Sequence, residues 1–120
     1  MEEPDVTWRI FGMYMLLILL MLLSTSSSGQ MSIAVFNAGW NESNKVDWAY
    51  DLTDINTAAY IDISKDTELQ KKHKIAVIPT IILFKDNVEV ARFQADLSFK
   101  MVATKEEVQE EIDNQLMSDF

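Results

Sequence analysis

The stretch NAGWNESNK, residues 37–45, stands between an apolar run, SIAVFNA at 32–38, and a segment whose apolar residues recur near the helical period. In that segment, NKVDWAYDLTDI at 44–55, the recurring residues are Val46, Trp48, Ala49, Leu52 and Ile55, so a short helix is predicted to follow the loop. Strand, loop and helix in immediate succession open an α/β layered arrangement. Downstream, AAYIDIS (58–64) alternates toward a second strand, and SKDTELQKKHK (64–74) offers Ser64 and Asp66 as caps for a charged helix. The run AVIPTIILFKDNVEVARFQA (76–95) reads as two strands joined at KDNV. A final helix over TKEEVQEEIDNQLM (104–117) begins with the capping box Thr104 to Glu107 and aligns Val108, Ile112 and Leu116 on one face. The predicted order is β, α, β, α, β, β, α, without internal repeats.

The bulk properties narrow what such a domain can do. The chain has 120 residues, 48% of them hydrophobic, and part of that share lies in an N-terminal block apart from any core. Roughly 90 residues are left for one small domain. A formal net charge of −9 argues against nucleic acid, whose phosphates require clustered Lys and Arg. With no cysteine, these residues hold no disulfide, no thiolate and no Cys-based metal or cluster site.

Before the domain comes WRIFGMYMLLILLMLLSTSSSGQM, residues 8–31. Apart from Gly12, every residue from 10 to 23 is apolar, a length suited to a signal-peptide core, and Ser24, Thr25, Ser26, Ser27 and Ser28 supply the small residues of a cleavage site. Alternatively, a helix from Trp8 to Ser28 is an N-terminal hydrophobic anchor, with Arg9 weakly favouring an N-in, C-out orientation. Residues 1–30 are thus expected to be a signal peptide or membrane anchor with a Ser-rich linker, and 31–120 the folded domain. The domain would be membrane-anchored or secreted (periplasmic in a bacterium), on the extracytoplasmic side. If translation starts at Met31, the product is cytoplasmic.

Four features in this order carry a family resemblance: VFNAGWNESNK, the tripeptide IPT at Ile78 to Thr80, the hairpin IILFKDNVEVARF and the amphipathic C-terminal helix. Together they resemble the thioredoxin family over residues 32 to the C-terminus. The resemblance implies a thioredoxin-like fold, a central mixed sheet flanked by helices. Trp40 matches the tryptophan before the family's Cys-x-x-Cys motif and Lys45 the basic residue after it, whereas Asn41 and Asn44 stand where the two cysteines would be. Val35 takes the place where many members bury a proton-accepting aspartate. Thiol–disulfide exchange needs a thiolate, and an asparagine amide has neither the nucleophilicity nor the redox couple. The short span from Asn44 to Pro79 also implies a trimmed first helix.

The resemblance further implies that Pro79 is cis and lies beside the loop. Ile78 would then offer its backbone to an extended polypeptide or partner protein by β-augmentation, with Trp40 as an apolar platform and Thr80 beginning the next strand. A purely structural reading stands beside this one, because a cis-proline turn can simply join a helix to a central strand. His73, in KKHK, reads as a solvated residue complementing a helix C-terminus. Glu106, Glu107, Glu110, Glu111 and Asp113 read as a solvent face, and Asp62 as a cap or lining of the sheet end. The sequence NES at 41–43 is an N-glycosylation acceptor in a eukaryotic secretory pathway.

The expectation is a redox-inactive binding module that needs no cofactor or metal. The alternatives are a thiol–disulfide oxidoreductase relative, in which a partner supplies the cysteine, and a purely structural membrane-tethered domain.

Overall fold

A computed structural model of the chain describes residues 30–118. The predicted N-terminal hydrophobic helix lies outside the described residues. Strands β1 (Met31–Asn37), β2 (Thr57–Asp62), β3 (Thr80–Lys85) and β4 (Val88–Gln94) form one sheet in the order β2-β1-β3-β4. β2 runs parallel to β1, with Ser32 opposite Thr57 and Asn37 opposite Asp62; β1 with β3 and β3 with β4 are antiparallel. The sheet is therefore mixed, and helices α1 (Thr67–Lys72) and α2 (Lys105–Met117) complete the α/β arrangement.

Why SIAVFNA reads as an unbroken apolar run is evident from its central place, since a strand covered on both faces needs apolar residues in both registers. Ile33 and Val35 face Val46, Ala49 and Leu52 of the crossover, together with Val108 and Ile112 of α2. Ala34 and Phe36 face Ile75, Ile78 and Ile82, with Leu69 of α1 packed alongside.

The crossover from β1 to β2 departs from the predicted helix. It consists of two 3₁₀ helices, Gly39–Asn44 and Asp47–Asp51, separated by extended backbone at Lys45. The burial of Val46, Ala49 and Leu52 explains how periodicity misleads here: their spacing of three suits the three-residue turn of a 3₁₀ helix as well as the α-helical period.

The remaining elements follow local chemistry. Asp66, not Ser64, caps α1 through its carboxylate, which accepts the Leu69 N–H at 3.1 Å. Asp86 and Asn87 have φ of 52° and 70°, the left-handed pair of a two-residue hairpin turn, between Lys85 and Val88. At α2, Thr104 Oγ1 accepts the Glu107 N–H and the Glu107 carboxylate accepts the Thr104 N–H, both at 3.1 Å. Val108 and Ile112 are fully buried, and Gln109 ties the helix to the crossover through both backbone groups of Thr53. His73 is not the solvated residue expected. It is half-buried with its ring 5.6 Å from that of Phe36 and 5.8 Å from that of Phe84, because the end of α1 docks over the sheet.

Candidate functional site

Asn37 ends β1, Ala38 stays extended, and the chain then turns into the first 3₁₀ helix, closed by the Asn41 N–H to Ala38 carbonyl bond of 2.9 Å. This turn drives Asn41 inward until it is 4% exposed. Its side chain is nevertheless satisfied. Nδ2 donates to Asn37 Oδ1 at 3.0 Å and to the Phe99 carbonyl at 3.1 Å, and Oδ1 accepts from Asn44 Nδ2 at 2.9 Å. Asn37 Nδ2 returns a bond of 3.2 Å to the Asn41 carbonyl. Three carboxamides thus clasp one another and the loop carrying Phe99. Nδ2 of Asn41, the atom a glycan would occupy, is committed to this clasp.

The clasp cannot perform thiol chemistry, since carboxamides neither ionise in the accessible range nor exchange electrons with a disulfide. Behind it Val35 is 1% exposed in an apolar cluster with Ile33, Ile81 and Leu83, a setting without a proton acceptor.

Beside the clasp the surface is aromatic. Trp40 is 66% exposed, and its ring meets Phe99 edge-on at 5.2 Å. Phe99 sits at φ 64° in a loop organised by Asp96, whose Oδ1 accepts the Ser98 N–H at 2.9 Å and Ser98 Oγ at 2.6 Å. These bonds hold the Asp96 carboxyl below its ordinary value, the Ser98 hydroxyl first and the Lys100 and Ser98 amides next. At its base, Ala95 pairs with Met101 and donates its N–H to the Pro79 carbonyl at 3.0 Å. The loop that carries Phe99 to Trp40 is therefore attached to the Ile78–Pro79 segment, whose peptide bond is cis.

The four residues singled out from sequence occupy different depths. Trp40 lies on the surface; Ile78, Pro79 and Thr80 are buried, and Thr80 Oγ1 donates to the Val77 carbonyl at 2.6 Å. Among the described residues, no hydrogen-bond partner meets the backbone N–H or C=O of Ile78.

A cavity of about 370 Å³ opens at the carboxyl ends of β1 and β2, between Gly39, Lys45, Tyr50, Tyr60 and Asp62. Tyr50 and Tyr60 stack at 4.6 Å, and Tyr60 donates its hydroxyl to the Val46 carbonyl at 2.6 Å. Burial, then Tyr50, Asp47 and Asp51, push the Tyr60 phenol up to about 12. Asp62 lies below the usual carboxylate range because the Ser64 hydroxyl and amide, and then the Gly39 amide, stabilise its charge. Lys45 lies 3.3 Å from Glu42 and 3.9 Å from Asp47, exposed pairs of small energetic weight.

Asn37 and Phe99 belong to this site and were missed by sequence reasoning. Asn37 had a legible signal, three asparagines at spacings of four and three where an apolar strand ends. Phe99, 58 positions from Asn41, had none.

No protein-family model matches the chain, and comparison with curated proteins finds no significant match. Solved structures do resemble it. A mutant thioredoxin from Halobacterium salinarum superposes with a TM-score of 0.59 at 19% identity, covering 73% of this chain and 76% of that one. The Fasciola hepatica thioredoxin gives 0.52 at 25% identity, over 79% and 89% of the two chains. Thioredoxin NaTrxh from Nicotiana alata gives 0.53 at 19%, over 81% and 83%. The fold is thioredoxin-like, and it is built here without a cysteine.

Proposed function

We propose that this chain is a non-catalytic, thioredoxin-like binding module that holds an extended polypeptide or partner protein at the surface formed by Trp40 and Phe99, beside the buried Ile78–Pro79 segment. The observation that carries this reading is the exposed Trp40, set edge-on against Phe99, on a loop anchored at Pro79. A solvent-facing aromatic pair has little to do for the core and suits an anchor for an apolar side chain. The unpaired backbone groups of Ile78 suit the main chain of an added strand. We also propose that the N-terminal segment delivers or tethers the domain to the extracytoplasmic side of a membrane.

The test is nuclear magnetic resonance titration of isotopically labelled protein with a random-sequence peptide library, followed by individual apolar peptides. Binding is expected to shift the Trp40 indole and the Ile78 amide first. If no peptide shifts either signal at millimolar concentration, the binding reading fails and the fold is a structural module only.

A further inference from the structure

The two margins of the sheet are treated differently by the sequence. β4 carries charge along its length: Glu89 and Arg92 pair through two contacts of 3.0 Å, and its pairing with β3 slips between Leu83 and Phe84. Charges and bulges of this kind blunt an edge against further pairing. β2 has neither. From Thr57 to Ile61 it reads TAAYI, without a charge, a proline or a register shift, and Thr57, Ala58, Ala59 and Tyr60 are all exposed. It pairs only with β1, so one side of its backbone is open among the described residues.

We propose that β2 is a self-association edge, at which two copies of this chain pair their β2 strands antiparallel about Ala59 to form one continuous eight-stranded sheet. Symmetry selects the partner. Pairing β2 of one copy with β4 of the next would repeat without closing, and β4 is the blunted edge; β2 against β2 closes on a two-fold axis. Charge agrees. Centred on Ala59, the pairing sets Thr57 opposite Ile61 and Ala58 opposite Tyr60, with no charged residue facing another. The two Asp62 carboxylates fall at opposite ends, about 20 Å apart at strand spacing and beyond the screening length of about 8 Å at physiological salt. This edge is separate from the Trp40 surface, and the proposal does not depend on peptide binding there.

The lack of cysteine makes the test direct, since a single introduced thiol is the only one present. Residues facing one another in antiparallel strands have Cα atoms about 4.5–5.5 Å apart, within disulfide range. In full-length protein, Ala59→Cys is expected to yield a covalent dimer under mild oxidant, at least about tenfold more than Val88→Cys on the other edge. Adding Ala58→Lys to Ala59→Cys, which puts a charge on the pairing edge, is expected to remove that dimer, while circular dichroism shows the fold intact. Equal yields from the two edges, a maximum at another β2 position, or no covalent dimer at any of residues 57–61 overturns the proposal.

Discussion

Asn44 donates its side-chain amide to the Asn41 carboxamide oxygen at 2.9 Å, joining the two positions that the sequence resemblance sets against the family's cysteines. This bond holds the 3₁₀ turn closed and orients Asn41 toward Asn37 and the Phe99 carbonyl.

Removing the hub of that clasp should be costly. Asn41→Ala removes three side-chain hydrogen bonds to partly buried partners, each worth about 0.5–1.5 kcal/mol. Melting temperature should fall by about 4–8 °C for each kcal/mol in a domain of this size. Asn41→Asp should be worse at neutral pH, because a carboxylate would face Asn37 Oδ1 and the Phe99 carbonyl, and should recover partly in acid as protonation restores one donor. Thermal unfolding of both variants across pH checks this.

Sulfur placed at the same two positions should bridge. The side chains of Asn41 and Asn44 already touch, so the double variant Asn41→Cys, Asn44→Cys should form an intramolecular disulfide under mild oxidant, read by thiol titration and intact mass. Two free thiols after oxidation would show that the turn departs from disulfide geometry. The parent chain should reduce no disulfide above the background rate of dithiothreitol.

Trp40 should separate binding from stability. Exposed as it is, Trp40→Ala should change unfolding free energy by no more than about 0.5 kcal/mol. Affinity for a captured polypeptide should fall by about 2 kcal/mol, the loss typical of an aromatic anchor. A large drop in melting temperature with unchanged capture would reverse that assignment.

The Phe99 loop should weaken in acid. Asp96 is held below its ordinary value by the Ser98 hydroxyl and loop amides, as Asp62 is by Ser64, and Glu89 by Arg92. A carboxyl depressed in the folded state contributes stability above its unfolded value, about 4, and loses it as pH falls through the lower folded value. Melting temperature should therefore decline below about pH 4, and Asp96→Asn should flatten part of that decline.

Tyr60 should ionise late. Its folded value of about 12 lies above the unfolded phenol value, so its contribution is present below about pH 10 and is lost as pH rises toward the folded value. Spectrophotometric titration of the tyrosinate band, with Tyr60→Phe as reference, should show the late step disappear.

Much of the fold is legible in the sequence because it is locally encoded. The apolar run of β1, the Asp-Asn turn of the hairpin and the reciprocal cap at Thr104 and Glu107 are each decided by residues within a few positions of one another. The crossover misleads for an equally local reason, since Val46, Ala49 and Leu52 satisfy a period of three as readily as the α-helical one. His73 reads as solvated beside its lysines; only docking of α1 over the sheet brings it to Phe36 and Phe84.

The sequence by itself determined the strand order along the chain, the two later helices and the absence of thiol chemistry from these residues, because hydrophobic periodicity, capping and elemental composition are properties of the chain; the thioredoxin-like topology was implied by the family resemblance. Tertiary structure alone decided what the asparagines do. Whether a carboxamide is a surface group or a buried hub depends on which donors and acceptors surround it. For Asn41 a decisive partner, the Phe99 carbonyl, comes from 58 positions away, on a loop tethered to Pro79.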